Sequence, residues 1–174
     1  MATAGTADKC KVCKDLGADV VIDYKTQDFV EAAKAATGGK GIDVTLDMVG
    51  GDYTERNLVI AAEDGRIVQI ATLGGPTSTI NVARLMVKRV TLTGSTLRPR
   101  TRAVKAGFAR ALEERVWPLL ASGQAIIPRH TPLSRIMQAV ILITYLRAAL
   151  RAMACACIRG ALLSSGTALL LQVC

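Results

Sequence analysis

The sequence has few aromatic residues and a single histidine. Phe, Tyr and Trp make up 3% of the 174 residues, whereas Ala, Val, Leu and Gly are abundant. Because β-sandwich strands favour aromatic and β-branched residues, this composition indicates α/β layers instead. The shortage of aromatics also disfavours a stacking platform for single-stranded nucleic acid. His130 has no nucleophile at a recognisable elbow, and no residue pair indicates acid–base or nucleophilic catalysis.

Acidic residues are missing from residues 135–174, which carry four arginines and no Asp or Glu. The formal net charge of +8 is therefore partly a property of this segment, and the remaining excess does not indicate a nucleic-acid partner. Long apolar runs are missing too, because the charge-free stretches 136–146 and 160–174 are shorter than the ~20 residues of a membrane span. We expect a hydrophobic, mostly helical tail that lies on a membrane surface, covers a neighbouring sheet or is disordered.

A secretory leader is not recognisable, since Met1 is followed by a turn rather than by a basic and then an apolar stretch. The cysteines are odd in number, which favours free thiols in a cytoplasmic protein. Cys10 and Cys13, together with Cys155 and Cys157, could be read as a zinc site. Because the first pair falls inside a predicted helix rather than on a knuckle turn, we predict no metal site.

The sequence does contain an alternation of short apolar strands and longer helices, which predicts a parallel sheet with helical crossovers. Strands are predicted at the first residues of the chain and at 18–22, 42–49, 67–71 and 90–94. Helices are predicted at 6–16, 26–36, 52–62, 81–88 and 101–121. Gly17 suits a left-handed helix cap, Asp52 begins a capping box, residues 63–66 form a turn, and Trp117-Pro118 bends or closes the last helix. The basic residues 98–102 are interpreted as a solvated loop leading into that helix.

Two turns after predicted strands are candidates for ligand binding. In a nucleotide-binding α/β sheet, an acid usually follows the second strand and binds the ribose hydroxyls. Here the turn holds Gly5 and Thr6, with Lys9 one helical turn later, and a cation beside small polar groups suits a ribose phosphate. The alternative is an ordinary turn with a surface lysine. Likewise, Gly50-Gly51 either leaves room for a ligand at the carboxyl edge of the sheet or forms a plain turn.

Several blocks of sequence, in order, resemble a known family. They are ATAGTADKC with LGAD and DY, KGIDVTLDMVGGDYTERNL, DGRIVQIA, VKRVTLTGSTLRPR and ALEERVWPLLASG. Over residues 2–124 they resemble the zinc-independent quinone oxidoreductases of the medium-chain dehydrogenase/reductase superfamily. The resemblance implies a GroES-like catalytic domain followed by a Rossmann domain, and homodimers. It also implies NADP(H) as cofactor, with hydride transfer from NADPH to a small-molecule quinone or another activated enone.

The resemblance implies positions for the adenosine end of this cofactor. Gly5 and Thr6 would lie at the adenosine ribose. Lys9 and Tyr24 would contact the 2′-phosphate. The pair Gly50-Gly51 would pack near the adenine or its ribose.

The resemblance places the other end of the cofactor on later turns. Ile70, Ala71 and Thr72 would run along the nicotinamide half. Ser95 and Thr96 would lie near the nicotinamide. Because the cofactor carries the hydride chemistry, no catalytic residue is predicted.

The chain also departs from this family. The first strand of the doubly wound order 3-2-1-4-5-6, with its glycine-rich phosphate turn, has no counterpart before residue 2. We therefore expect residues 1–134 to form an incomplete Rossmann-like parallel sheet with unpaired edges at its centre, and residues 135–174 to form a divergent tail. Such a fragment is expected to be inactive or impaired. The alternative is a non-enzymatic basic protein that associates with a membrane or a partner through residues 136–174.

Overall fold

The structure is a computed structural model, and it describes residues 1–122 and 168–172. The chain divides into two units, Met1–Ser95 with Ser165–Cys174, and Thr96–Ser164. The elements, in chain order, are β1 (Ala2–Ala4), α1 (Ala7–Asp15), β2 (Val21–Asp23), α2 (Phe29–Ala36), β3 (Ile42–Asp47), α3 (Tyr53–Ile60), β4 (Ala61–Gln69), α4 (Val82–Val87), β5 (Thr91–Gly94), α5 (Arg102–Arg115), α6 (Trp117–Ala121) and β6 (Leu169–Gln172).

The first unit is built on a sheet with the strand order β2-β1-β6-β3-β4-β5. Every neighbouring pair of strands is parallel. Helices connect the successive strands β1 to β5, as parallel pairing requires. The predicted Rossmann-like parallel α/β fold is therefore confirmed. The carboxyl ends of all the strands lie at the same edge of the sheet, where such folds bind their ligands.

The centre of the sheet differs from the prediction, because β6 fills the gap between β1 and β3. Thr3 pairs with Gln172 on one side of β6, and Thr45 pairs with Leu170 on the other. Asp43 fixes the start of the strand, since its carboxylate accepts the Ala168 N–H at 2.7 Å. The expectation of unpaired edges at the centre of the sheet is thus wrong, and part of the tail is a strand rather than a helix. β6 takes the place that the first strand holds in the order 3-2-1-4-5-6.

One hydrophobic cluster joins β6 to the helices that cover one face of the sheet. Its buried residues are Ile22, Phe29, Ala33, Ile42, Ile60 and Leu170. α2 begins at the N-cap Asp28, whose carboxylate accepts the N–H of Val30 at 2.7 Å. The helix then buries Phe29 and Ala33 on one face. A second cluster packs Leu58 and Ile67 with Val90.

Several local predictions are confirmed and others are shifted. α1 ends before Gly17, which has the left-handed φ of 96° that the sequence predicts. Asp52 precedes α3, but its side chain makes no capping hydrogen bond, so the capping box is not formed. α3 ends at Ile60, and residues 63–66 lie inside β4 rather than in a turn between elements. The strand bulges there, because the pairing with β3 jumps from Ala61 to Arg66.

Lys88 stabilises the junction between α3 and β4. Its Nζ donates to the carbonyl oxygens of Val59 at 2.8 Å and Ala61 at 2.7 Å. Burial, with smaller contributions from Arg84 and Lys34, lowers the pKa of Lys88. Through these two hydrogen bonds the ammonium group satisfies carbonyls at the end of α3, where a cation also complements the helix dipole.

The second unit is described between Thr96 and Ser122. The predicted helix over 101–121 is divided into two helices, α5 and α6, at Val116. The interruption lies just before Trp117-Pro118, where the sequence predicts that the helix bends or closes. Thr101 caps α5 by accepting the N–H of Val104. Residues 98–100 are exposed, as expected of a solvated basic loop.

Several predictions concern residues outside the described ranges, among them His130, Cys155 and Cys157 and most of the tail. The domain boundary at residue 134 likewise stays a prediction. Within residues 1–122 and 168–172, no helix has the length and apolar character needed to cross a bilayer.

Candidate functional site

A cavity of about 360 Å³ opens at the carboxyl ends of β3, β4 and β5. Its volume lies in the range of small-molecule sites. It is lined by Gly50, Gly51, Thr54, Gln69, Thr72, Gly75, Pro76, Ser78, Leu92, Thr93 and Gly94. Glycines and small hydroxyl residues dominate this wall, so a ligand can contact the backbone as well as side chains.

The Gly50-Gly51 turn forms one side of the cavity and is held by Asp47. The Oδ1 atom of this carboxylate accepts the N–H of Val49 at 2.7 Å and the N–H of Gly50 at 3.0 Å. Both glycines have left-handed φ angles, 68° and 54°. Residues with side chains adopt this conformation only with strain, so the turn favours glycine.

A second glycine turn lies directly against the first. The N–H of Gly51 donates to the Gly75 carbonyl at 3.1 Å, and the N–H of Gly74 donates to the Val49 carbonyl at 2.6 Å. A β-carbon at Gly51 would lie 2.6 Å from the Gly74 carbonyl oxygen. The turns after β3 and β4 are therefore locked together through their backbones.

The predicted nicotinamide residues have different places at this edge. Thr72 lines the cavity. Ile70 follows β4 and donates its N–H to the Asp47 carbonyl at 2.8 Å, whereas the Ala71 carbonyl accepts from Gln69 Nε2 at 2.7 Å. Ser95 follows β5 directly and donates its N–H to the Gln69 carbonyl at 3.0 Å.

Thr96 begins the second unit and is described with that unit. Thr93 and Gly94 line the cavity, and the sequence prediction missed both, together with Gln69 and Ser78. A signal for Gln69 was present, because a polar residue near the carboxyl end of a buried parallel strand lies at the ligand edge.

The other predicted site residues form a separate group after β1. Gly5 is buried against Tyr24, and a β-carbon at Gly5 would lie 2.4 Å from the phenolic oxygen. Thr6 caps α1, since its hydroxyl accepts the N–H of Lys9 at 3.3 Å. Thr6 and Lys9 are exposed. The structure therefore brings Gly5 and Tyr24 together and places Lys9 in the first turn of the adjoining helix.

Three fully buried polar side chains lie behind the Gly50-Gly51 turn. Asn57 Nδ2 donates to Asp47 Oδ2 at 3.0 Å, and Gln172 Nε2 donates to Asn57 Oδ1 at 2.8 Å. All three residues are 0% exposed. The sequence predictions missed this network, although an acid three residues before a glycine pair was a usable signal for the Asp47 end of it.

Cys10 and Cys13 both lie in α1 and are half-buried. Burial, followed by the neighbouring Cys10, raises the pKa of the Cys13 thiol. A metal binds the thiolate rather than the thiol, so this environment disfavours Cys13 as a ligand. The described part of the chain has no cluster of three or more His, Cys, Asp or Glu residues that could hold a metal ion.

The fold and its carboxyl-edge cavity define a Rossmann-like α/β domain. Within that class, the chain belongs to the zinc-binding dehydrogenase family, whose model matches residues 1–114. Curated relatives confirm the resemblance to quinone oxidoreductases. Quinone oxidoreductase-like protein 2 of Rattus norvegicus is 33% identical over 94 residues, which are 54% of this chain and 27% of the relative. Quinone oxidoreductase 1 of Escherichia coli K12 is 37% identical over 86 residues, or 49% and 26% of the two chains.

Solved structures show the same relationship. The chain is similar to Escherichia coli quinone oxidoreductase complexed with NADPH, with a TM-score of 0.60, 29% identity and coverage of 82% of this chain and 44% of that one. It is also similar to a quinone oxidoreductase of Pseudomonas syringae pv. tomato DC3000, with a TM-score of 0.59 and 28% identity over 72% of this chain and 38% of that one. The chain spans about a quarter of the length of the two curated relatives. The family name refers to zinc, and the absence of a metal site in this chain stays a prediction.

Proposed function

We propose that the chain binds NADPH at the carboxyl edge of its sheet and serves hydride transfer to a small quinone or another activated enone. One observation carries the proposal: the locked glycine turns after β3 and β4 form a cavity wall that allows a ligand to approach the backbone. The quinone oxidoreductase relatives support the reaction class. The similar Escherichia coli enzyme, which was crystallised with NADPH, supports the cofactor.

In this proposal the two groups of residues hold different parts of the cofactor. Gly5 and Thr6 lie at the adenosine ribose, while Lys9 and Tyr24 contact its 2′-phosphate. The Gly5-Thr6 turn itself contains no acid, Asp8 follows in the first turn of α1, and the exposed ammonium of Lys9 would attract a phosphate. This chemistry favours NADPH over NADH.

The remaining residues orient the rest of the molecule. Gly50 and Gly51 pack near the adenine or its ribose, and Ile70, Ala71 and Thr72 run along the nicotinamide half. Ser95 and Thr96 lie near the nicotinamide. When bound, NADPH supplies the hydride, so the contribution of these residues is to bind and orient it.

Titration of the purified chain with NADPH and with NADH, followed by nicotinamide fluorescence, tests the proposal. We expect saturable NADPH binding that is tighter than NADH binding. Equal or absent binding of both nucleotides would contradict the cofactor assignment. An assay with NADPH and a small quinone then tests the separate expectation that this chain alone turns over slowly or not at all.

A further inference from the structure

A continuous path of buried hydrogen bonds joins the central strand β6 to the wall of the cavity. It runs from Gln172 to Asn57 at 2.8 Å, from Asn57 to Asp47 at 3.0 Å, and from Asp47 to the N–H of Gly50 at 3.0 Å. The three side chains are 0% exposed. Bulk water therefore cannot replace a partner that is lost, and an unsatisfied group would carry its full desolvation cost.

The donor and acceptor roles along this path are linked, starting from the Asp47 carboxylate. Asn57 must point its NH₂ group at the Asp47 carboxylate, because the carboxylate only accepts hydrogen bonds. The amide oxygen of Asn57 then points at Gln172, whose NH₂ group donates to it. If Gln172 could not donate, the buried amide oxygen of Asn57 would lose this donor, and the Asn57 side chain would be held by its hydrogen bond to Asp47 without this second support.

We propose that Gln172 is a positioning residue for the cavity. It fixes the amide of Asn57, Asn57 fixes the carboxylate of Asp47, and the carboxylate holds the Gly50-Gly51 turn. The identity of the ligand, NADPH, rests on the function proposed above, whereas the control of the turn by Gln172 does not.

The turn needs such support because of its composition. Gly50 and Gly51 are held at φ angles of 68° and 54°. Glycine loses more backbone conformational freedom than any other residue when it is ordered, so ordering this pair has a high entropic cost. A turn that is already ordered binds its ligand without that entropic cost. The contacts with Gly74 and Gly75 hold the turn from the solvent side, and Asp47 holds it from the interior.

Two variants in the same strand separate positioning from general stability. Gln172→Met keeps a long unbranched side chain but removes both the donor and the acceptor of the amide. Leu170→Ala is the matched control. Leu170 lies two residues before Gln172 in the same strand, is buried in the hydrophobic cluster and takes no part in the polar path. Gln172→Asn, which keeps the amide but shortens the reach, replaces Gln172→Met if that variant does not fold.

The first readout is amide hydrogen exchange at Val49 and Gly50, measured relative to Leu46 in the core of β3. We expect Gln172→Met to raise the ratio of the exchange rates of Val49 and Gly50 to that of Leu46 about tenfold. This change corresponds to the loss of one buried hydrogen bond. Leu170→Ala should raise all three rates together and leave the ratio unchanged. An unchanged ratio in Gln172→Met, or equal changes in both variants, would overturn the proposal.

The second readout is NADPH affinity at a temperature where both variants are folded. Gln172→Met should bind NADPH about tenfold more weakly than wild type, and Leu170→Ala should bind it as wild type does. If wild type binds no NADPH, the proposed function fails, but the exchange ratio still decides the role of Gln172. If wild type binds NADPH and Gln172→Met binds it equally well, the positioning role fails while the proposed function stands.

Discussion

Gly51 approaches Gly74 so closely that a β-carbon on Gly51 would lie 2.6 Å from the Gly74 carbonyl oxygen. The neighbouring atom belongs to the backbone, so it cannot move aside as a flexible side chain could. Gly51 also has a φ of 54°, which a residue with a side chain adopts only with strain.

Gly51→Ala should therefore destabilise the protein and abolish NADPH binding. We expect a loss of about 1–2 kcal/mol from the left-handed backbone and a further ~1–3 kcal/mol from the steric conflict. Gly39→Ala is the control, because Gly39 also has a positive φ, 81°, but has open space around its Cβ position. Thermal unfolding and NADPH titration of both variants check the prediction. An equal loss of stability in the two would show that the turns are not in contact.

Lys9 lies in the first turn of α1, where its exposed ammonium is free to meet a phosphate on the nearby turn. Lys9→Ala should weaken NADPH binding about tenfold, because one charge-assisted contact is lost. It should leave NADH binding unchanged, since NADH lacks the 2′-phosphate. Lys11→Ala on the same helix is the control, because Lys11 is paired with Asp15 at 2.6 Å. Equal NADPH affinity in wild type and Lys9→Ala would remove Lys9 from the site.

Asp28 caps α2, and its stabilising effect should depend on pH. The N–H of Val30 lowers the pKa of Asp28 most, with further lowering by Arg56 and by the N–H of Glu31. A carboxyl whose pKa is lowered on folding stabilises the protein above its ordinary pKa, about 4, and loses this contribution as the pH falls through the lowered value. Asp28→Ala should cost about 1 kcal/mol at pH 7 and less at pH 3.

Thermal unfolding at the two pH values measures this difference. Asp52→Ala provides the comparison, because Asp52 occupies the N-cap of α3 without a side-chain capping bond. It should change stability little at either pH. If Asp28→Ala lowers the stability by the same amount at pH 3 as at pH 7, the charge of the Asp28 carboxylate contributes nothing to stability.

Local chemistry made much of the fold predictable. The turn signals around Gly17 and Gly50-Gly51 depend only on backbone conformation, which a short stretch of sequence determines. The alternation of strands and helices similarly gave the parallel sheet, because parallel strands require crossovers. The Gly50-Gly51 side of the cavity follows directly, since the carboxyl ends of the strands meet at one edge.

The position of β6 could not be predicted in this way. Leu169, Leu170 and Leu171 belong to an apolar run, and periodicity does not distinguish a short buried strand from a helix in such a run. The partner of Gln172 is Asn57, which lies 115 residues earlier, and no local pattern reports so distant a contact. The polar path behind the cavity depends on this one contact, so it was hidden together with the strand.

The central position of β6 makes a clear prediction for two adjacent leucines. Leu170 is 0% exposed and packs in the cluster with Phe29 and Ile22, whereas Leu169 is 42% exposed. Leu170→Ala should cost about 2–5 kcal/mol, as for other buried leucines, and Leu169→Ala well under about 1 kcal/mol. Chemical denaturation of the full chain measures both. The contrast arises because side chains alternate between the faces of a strand, so equal small losses at the two positions would mean that residues 169–172 do not complete the sheet.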